Sequence, residues 1–118
     1  MIIGSISENI NLEKRISLTP DLVKKYVKIG FKIILEKNYG NHIGFNHQDY
    51  EKEGCKFAER KEVINNSDII LQLNLPEDEI VKSLKQNQTL IGVFNFYQNE
   101  EKLKKLSDKK INIFSLEL

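Results

Sequence analysis

Arg15 is the residue whose chemistry and position best suit ligand binding. It is one of two arginines among 18 cationic residues, the other being Arg60. A planar guanidinium binds a carboxylate or phosphate through two hydrogen bonds, whereas lysine offers a point charge. Arg15 stands in the stretch EKRISLTP, after the first predicted strand, at the edge where open α/β sheets usually bind ligands. The alternative is an exposed arginine paired with Glu8 or Glu13, and the residues alone leave both roles open.

Two asparagines lie at equivalent places farther along the chain. Asn74 and Asn95 each end a predicted strand, over residues 68–75 and 89–96. In a parallel sheet both would share an edge with Arg15. A side-chain amide there can contact a ligand or tie down a loop, and we favour the loop role on residue type. Arg15, Asn74 and Asn95 are therefore the candidate cofactor-binding or cleft-lining residues.

The histidines and the cysteine form no recognisable metal or nucleophile motif. His42 and His47 are five residues apart, and no further ligands stand at metal-binding spacing, so we predict no metal. Cys55 is the only cysteine, which excludes an internal disulfide and a cysteine metal cluster. We expect a small buried apolar residue, because a catalytic role would need a histidine partner that the sequence does not place.

The phosphate-binding motifs of nucleotide enzymes are absent. A dinucleotide fingerprint would place several glycines between the first strand and the first helix. The corresponding stretch, SISENINLEKRISLTP, contains none, and Gly40 and Gly44 have the wrong spacing and position. No Walker loop occurs either. The chain alone is therefore not expected to bind a nucleotide in the usual Rossmann manner.

The elements that must position these residues alternate between strand and helix. The sequence Thr19-Pro20-Asp21 predicts a helix start, with a hydroxyl cap, an early proline and an acid in the first turn. Further helices are predicted over residues 47–53, 61–65, 76–84 and 100–109, and strands over 2–6, 31–36, 55–58, 68–75, 89–96 and 111–116. Such alternation predicts one α/β domain over residues 1–118, doubly wound, with a mainly parallel sheet of five or six strands and helices on both faces. The chain stops directly after its last predicted strand, which indicates a truncated piece or an edge strand.

Composition and charge narrow the class of protein. The chain has 118 residues, of which 40% are apolar and 30% charged, as expected for a globular domain. Its 18 cations and 17 anions leave a net charge of +1, which gives no reason to expect nucleic acid or an anionic membrane as partner. No run approaches the roughly 18 apolar residues of a membrane helix, and no signal peptide is evident.

Longer motifs carry a family resemblance. The segments E-x-R-I-S-L-T-P, V-K-K-Y-V-K-I-G-F-K-I-I-L-E and Y-G-N-H-I-G-F-N-H-Q-D-Y-E-K-E-G-C resemble the N-terminal domain shared by alanine dehydrogenase and the α subunit of proton-translocating NAD(P) transhydrogenase. The likeness covers essentially the whole chain. It implies a flavodoxin-like domain that packs against a separate Rossmann domain, absent here, which binds most of the NAD(H).

The resemblance favours the transhydrogenase branch. In the dehydrogenase branch an arginine at Arg15 and a lysine at the position of Asn74 hold the substrate carboxylate, and a histidine at the position of Asn95 acts in catalysis. An amide can neither titrate as an acid or base nor supply a positive charge. Other departures are Ile6-Ser7-Glu8 in place of Pro-Lys-Glu, and His47 in place of an acid.

The implied parent enzyme transfers hydride between NAD(H) and NADP(H). Its partners would be the missing nucleotide-binding domain, a membrane subunit and an NADP-binding subunit, and it would be a cytoplasmic translocase component peripheral to the inner membrane. The isolated chain would be inactive, without catalytic residues of its own, and a homo-oligomer. The alternatives are an alanine dehydrogenase fragment or a non-catalytic remnant that acts as a structural or assembly module.

Overall fold

The computed structural model describes residues 1–116, which contain six strands and five α-helices. The strands are β1 (Ile2–Ser5), β2 (Lys32–Glu36), β3 (Lys56–Ala58), β4 (Ile69–Leu71), β5 (Thr89–Gly92) and β6 (Asn112–Ser115). The helices are α1 (Pro20–Lys28), α2 (His47–Glu51), α3 (Arg60–Asn66), α4 (Asp78–Ser83) and α5 (Glu100–Asp108). Short 3-10 turns lie at Asn41–Ile43 and Phe96–Gln98.

All six strands form one sheet, and every neighbouring pair is parallel. The order is β3-β2-β1-β4-β5-β6, which confirms the predicted parallel sheet. Without the three-residue β3, the remaining five strands follow the flavodoxin-like order, and β3 extends that sheet at the edge of β2. The direction of winding reverses between β1 and β4. Their carboxyl ends therefore define the switch point, where open α/β sheets usually bind ligands.

Helices cover both faces of the sheet, as predicted. On one face α3, α4 and α5 pack on an apolar core that includes Val63, Leu90 and Leu106. On the other face α1 and α2 pack on a second core that includes Val23, Leu35 and Tyr50. These residues are buried, so the alternating apolar positions of the central strands are shared between two separate cores.

The first helix begins where the sequence predicts. The Thr19 hydroxyl accepts a hydrogen bond from the Leu22 N–H at 3.3 Å, and Pro20 occupies the first turn, where its missing N–H costs nothing. Gly30 follows the helix with a φ of +108°, a conformation that side chains other than glycine rarely adopt. These local signals fix how the chain enters β2 from the loop that carries Arg15.

The strand predicted over residues 68–75 is too long, because β4 ends at Leu71. Beyond it, the N–H groups of Leu73 and Asn74 donate to the carboxylate of Glu8, which draws this backbone toward the loop after β1. Asn74 therefore lies in a loop and does not end a strand, although it does follow the carboxyl edge of the sheet.

The strand predicted over residues 89–96 is likewise too long, because β5 ends at Gly92. Asn95 has a φ of +55°, in the left-handed region, and starts the turn Phe96–Gln98. A left-handed residue cannot continue an extended strand. Asn95 therefore also lies in a loop beyond the carboxyl edge.

None of the helices within residues 1–116 is both long and apolar enough to span a bilayer.

Candidate functional site

A cleft of about 500 Å³ opens at the carboxyl ends of β1 and β4, at the switch point of the sheet. We call it the strand-end cleft. Its walls are the loop after β1, the loop after β4 and one side chain from α3. The lining residues are Ile6, Ser7, Glu8, Asn9, Ile10, Leu12, Arg60, Gln72, Asn74, Leu75, Pro76 and Glu77.

Glu8 is a buried carboxylate in this cleft, with 9% of its surface exposed. One oxygen, Oε2, accepts hydrogen bonds from Gln72 Nε2 at 2.8 Å and from the Leu73 N–H at 2.9 Å. The other, Oε1, accepts from the Asn74 N–H at 3.1 Å. Glu8 thus holds the two walls of the cleft together.

The charge of Glu8 is not balanced by an ion pair within residues 1–116. Burial raises the pKa of its carboxyl group, and the nearby negative charge of Glu13 adds to the rise. The hydrogen bonds from Leu73, Asn74 and Gln72 act in the opposite direction and do not cancel the effect of burial. The buried carboxylate of Glu8 is therefore stabilised either by protonation or by contact with hydrogen-bond donors.

Gln72 connects the cleft to the sheet. Its Oε1 accepts from the Ile6 N–H at 2.8 Å, and its Nε2 donates to the Ile6 carbonyl at 3.1 Å. Its Nε2 also donates to Glu8. The buried side chain of Gln72 thus supplies hydrogen-bond partners to main-chain groups that lose their strand partner where β1 and β4 separate. Gln72 is not among the residues predicted from the sequence to form a site. The available signal was a polar residue in the otherwise apolar run DIILQLNL.

The phenol of Tyr39 joins β1 to the loop that precedes α1. Its oxygen accepts from the N–H groups of Ser17 at 3.1 Å and Leu18 at 3.2 Å, and lies 3.0 Å from the Ser5 hydroxyl oxygen. Because the Ser5 hydroxyl donates to the Leu71 carbonyl at 2.6 Å, the phenol is the donor to Ser5. Burial raises the pKa of Tyr39, which keeps this donor protonated.

Arg60 lies between two carboxylates beside the cleft. Its Nε donates to Glu36 at 3.1 Å and its Nη1 donates to Glu77 at 2.7 Å. Glu36 also accepts the Ser7 N–H at 2.8 Å, so the pair helps to fix the start of the loop after β1. In the sequence Arg60 stands out only as the second arginine, because its partners are 17 to 24 residues away.

Arg15 does not line the strand-end cleft. Its guanidinium donates to Glu13 through Nη2 at 2.7 Å and through Nε at 3.1 Å, and its side chain is 74% exposed. The sequence left open ligand binding and an exposed pairing with a glutamate, and the structure contains the pairing with Glu13. A ligand-binding role of Arg15 stays a prediction, since the exposed loop can release the side chain at little cost.

The two asparagines are not brought together. Asn74 lines the cleft, and its main chain is held by Glu8. Asn95 lies outside the lining, where its Nδ2 donates to Gln98 Oε1 at 2.8 Å. That hydrogen bond lies within one loop, which is the role favoured from the sequence. A contribution of either amide to ligand binding stays a prediction.

The histidines and Cys55 are placed elsewhere. His42 bonds to the Lys14 carbonyl at 2.8 Å, and His47 pairs with Glu51 and stacks on Phe57. Within residues 1–116, no three metal-ligating side chains come together. Cys55 is buried, as predicted, and burial raises the pKa of its thiol to about 12.

The charges of the cleft define what it can bind. Its charged lining residues are one cation, Arg60, and two anions, Glu8 and Glu77, and the cation is already bonded to Glu36 and Glu77. Along the described lining, a carboxylate would therefore meet no uncommitted positive charge. The cleft suits neutral hydrogen-bonding groups, with the exposed Ile10 and Leu12 as an apolar rim.

The fold and the cleft together define an open, doubly wound α/β domain with its candidate site at the switch point. Comparison with known proteins identifies the family. The chain belongs to the family described as "Alanine dehydrogenase/PNT, N-terminal domain", whose model matches residues 4–118. The resemblance found in the sequence motifs is thereby confirmed.

Relatives come from both branches of that family. The NAD(P) transhydrogenase subunit alpha of Haemophilus influenzae is 34% identical over 117 residues, which are 99% of this chain and 23% of the relative. Alanine dehydrogenase 1 of Staphylococcus aureus is 28% identical over 115 residues, covering 98% of this chain and 31% of the relative.

Solved structures confirm the fold. Transhydrogenase from Sinorhizobium meliloti matches with a TM-score of 0.89 at 23% identity, covering 98% of this chain and 34% of that protein. An L-alanine dehydrogenase matches with a TM-score of 0.89 at 22% identity, covering 98% and 32%. The chain spans about a quarter to a third of the length of these proteins.

Proposed function

We propose that this chain is the N-terminal part of an NAD(P) transhydrogenase α subunit, an oxidoreductase that transfers hydride between NAD(H) and NADP(H). The higher identity to a transhydrogenase subunit, 34% against 28% for an alanine dehydrogenase, supports this branch. The coenzyme would be held mainly by a nucleotide-binding domain outside this chain.

The observation that carries the proposal is the chemistry of the strand-end cleft. Among the described lining residues the one cation, Arg60, is engaged by two carboxylates, and Asn74 presents an amide. An amino-acid dehydrogenase must hold the carboxylate of its substrate and move a proton. A transhydrogenase needs neither, because the nicotinamide rings of its two coenzymes exchange the hydride.

The residues present fit one wall of a nicotinamide pocket. The exposed Ile10 and Leu12 offer apolar contact to a flat ring, and the Asn74 amide can hydrogen-bond a carboxamide. No glycine-rich turn follows β1 to bind a pyrophosphate. The chain would therefore orient the nicotinamide and exclude water, while the phosphates are bound by the other domain.

The assembled enzyme would include further subunits. We place the chain on the cytoplasmic side, attached to the inner membrane through a membrane subunit, with NADP(H) on a separate subunit. Proton translocation would belong to those subunits, and the isolated chain would be inactive.

Two chimeras test the proposal. In the first, this chain replaces the matching segment of the Haemophilus influenzae transhydrogenase α subunit, and reduction of an NAD analogue by NADPH is measured in membranes. In the second, it replaces the matching segment of Staphylococcus aureus alanine dehydrogenase 1, and NADH oxidation with pyruvate and ammonia is measured. We expect activity in the first and none in the second.

A matched variant controls for folding of the second chimera. The double substitution Asn74→Lys and Asn95→His restores the cation and the imidazole that the dehydrogenase branch uses. Alanine dehydrogenase activity should appear only with both substitutions. Activity of the unsubstituted second chimera, or inactivity of the first when it is folded and assembled, would contradict the proposal.

A further inference from the structure

Two neighbouring side chains of the strand-end cleft keep hydrogen-bonding groups available to a ligand. One is Glu8, whose carboxylate is almost buried, and the other is Asn74, whose side chain is exposed. The Asn74 N–H donates to Glu8 Oε1 at 3.1 Å, so the two residues are held side by side. We call Glu8 and Asn74 the cleft pair.

The Glu8 carboxylate can accept one further hydrogen bond. An ionised carboxylate has about four acceptor positions, two on each oxygen. In the described part of the chain, Oε2 accepts from Gln72 Nε2 and from the Leu73 N–H. Oε1 accepts there only from the Asn74 N–H. All three contacts come from donors, so the remaining position on Oε1 favours a donor as well.

The side-chain amide of Asn74 offers the complementary group. It has an NH2 donor and a carbonyl acceptor, and within residues 1–116 neither is used in a hydrogen bond. Because the side chain is exposed, it can turn its NH2 toward a ligand that reaches Glu8 Oε1. The cleft pair therefore presents an acceptor beside a donor.

The charges around the cleft pair disfavour an anionic ligand. Among the described lining residues, Glu8 and Glu77 outnumber the one cation, Arg60. Arg60 is already bonded to Glu77 and Glu36. Glu13 adds a further negative charge near Glu8. A carboxylate placed against Glu8 would be repelled and would gain no new ion pair from these residues.

We infer that Glu8 and Asn74 select a primary carboxamide, that of the nicotinamide ring, over a carboxylate at the same place. The ligand NH2 donates to Glu8 Oε1, and the ligand carbonyl accepts from Asn74 Nδ2. The ring lies toward the exposed Ile10 and Leu12 at the rim. The identity of the ligand rests on the proposed function, whereas the preference for an amide over an acid follows from the cleft pair itself.

Nuclear magnetic resonance titration of the isotope-labelled 118-residue chain at pH 8 tests this preference. The ligands are nicotinamide and nicotinate, which share a ring and differ in the group that the cleft pair contacts. We expect nicotinamide to shift the signals of the Asn74 side-chain NH2 and of the Leu73 and Asn74 main-chain amides, with an affinity of about 1 mM for so small a ligand. Nicotinate should bind at least about tenfold more weakly, because its carboxylate meets Glu8.

Two substitutions separate the contributions of the pair. Glu8→Gln removes the negative charge and should reduce the preference for nicotinamide at least about threefold. Asn74→Lys supplies a cation and should reverse the preference in favour of nicotinate, and it alters an exposed side chain, so the fold is retained. The matched control Asn66→Lys changes an exposed asparagine at the last residue of α3, at the opposite edge of the sheet, and should leave both affinities unchanged.

The outcomes distinguish this inference from the proposed function. Equal affinities for the two ligands, tighter binding of nicotinate, or no shift at the cleft with either ligand would overturn the inference even if the first chimera is active. An unchanged preference in both Glu8→Gln and Asn74→Lys would also overturn it. A preference for nicotinamide together with a folded but inactive first chimera would count against the transhydrogenase assignment and leave the selectivity of the cleft pair intact.

Discussion

The side-chain amide of Gln72 forms two hydrogen bonds with the main chain of Ile6, as the peptide group of a neighbouring strand would do. Gln72 follows the last residue of β4, and Ile6 follows the last residue of β1. The side chain therefore extends the pairing of these strands past the point where their backbones separate. The strand-end cleft begins at this point, and Glu8, bonded to the same amide, is one of its lining residues.

Replacement of Gln72 by leucine should destabilise the domain strongly. The buried Ile6 N–H and C=O and the Glu8 carboxylate would lose partners, and we expect the free energy of unfolding to fall by about 3 kcal/mol. Urea denaturation measures this change. The exposed Gln86→Leu serves as control and should stay within about 0.5 kcal/mol of the unsubstituted chain. Equal effects of the two substitutions would refute the role of Gln72.

Glu8→Gln should change how stability depends on pH. Burial raises the pKa of Glu8 above its ordinary value of 4.5, so the folded state binds this proton more tightly than the unfolded state does. The contribution of Glu8 to stability is then fully present below pH 4.5 and decreases as the pH rises through the raised pKa.

The unfolding free energy of the unsubstituted chain minus that of Glu8→Gln should accordingly decrease from acid to neutral pH. Urea denaturation at a series of pH values gives this difference directly. A difference that grows with pH would mean that the Glu8 pKa is lowered in the folded state, contrary to the account of the cleft.

Gly92→Ala should be among the most damaging small substitutions. A methyl group at Gly92 would overlap the main-chain carbonyl of Gln72, and a backbone atom has little room to move. We expect a loss of about 3 kcal/mol or more in unfolding free energy. A methyl group at Gly44 would meet no other atom, and only the φ of +92° disfavours alanine there. For Gly44→Ala we therefore expect the free energy of unfolding to fall by about 1 kcal/mol. The reverse ranking would contradict this packing of β4 against β5.

The Cys55 thiol should be unreactive in the native domain. It is buried, and burial raises its pKa to about 12, so very little thiolate forms at pH 8. A thiol-specific reagent such as dithionitrobenzoate should modify it only after unfolding in urea. Rapid stoichiometric modification of the folded chain would instead indicate an exposed or activated cysteine.

Local signals were sufficient to predict most of the fold. The hydroxyl cap and early proline at Thr19 and Pro20 gave the start of α1, and the alternation of apolar strands with helices gave the parallel sheet. These features depend on residues close in the chain, which a sequence displays directly. The end of β4 was misplaced because the distant Glu8 carboxylate binds the backbone beyond it, and the end of β5 because the left-handed Asn95 turns the chain.

The cleft was less predictable, because its contacts join distant parts of the chain. Gln72 and Ile6 are 66 residues apart, and Glu8 and Asn74 are also separated by 66. Neither pair follows a periodic pattern, so spacing alone gives no signal for it. Asn74 is a candidate from sequence because it lies at the end of a predicted strand, whereas the roles of Glu8 and Gln72 in the cleft depend on β1 and β4 being neighbours.

Calorimetric titration of the isolated chain with NADH tests the central claim most directly, namely that this domain forms one wall of a coenzyme pocket without binding the coenzyme's phosphates. We predict no binding, or binding no tighter than millimolar, because no glycine-rich turn or uncommitted cation was found in the described part of the cleft. A saturable isotherm with micromolar affinity and one NADH per chain would contradict the account.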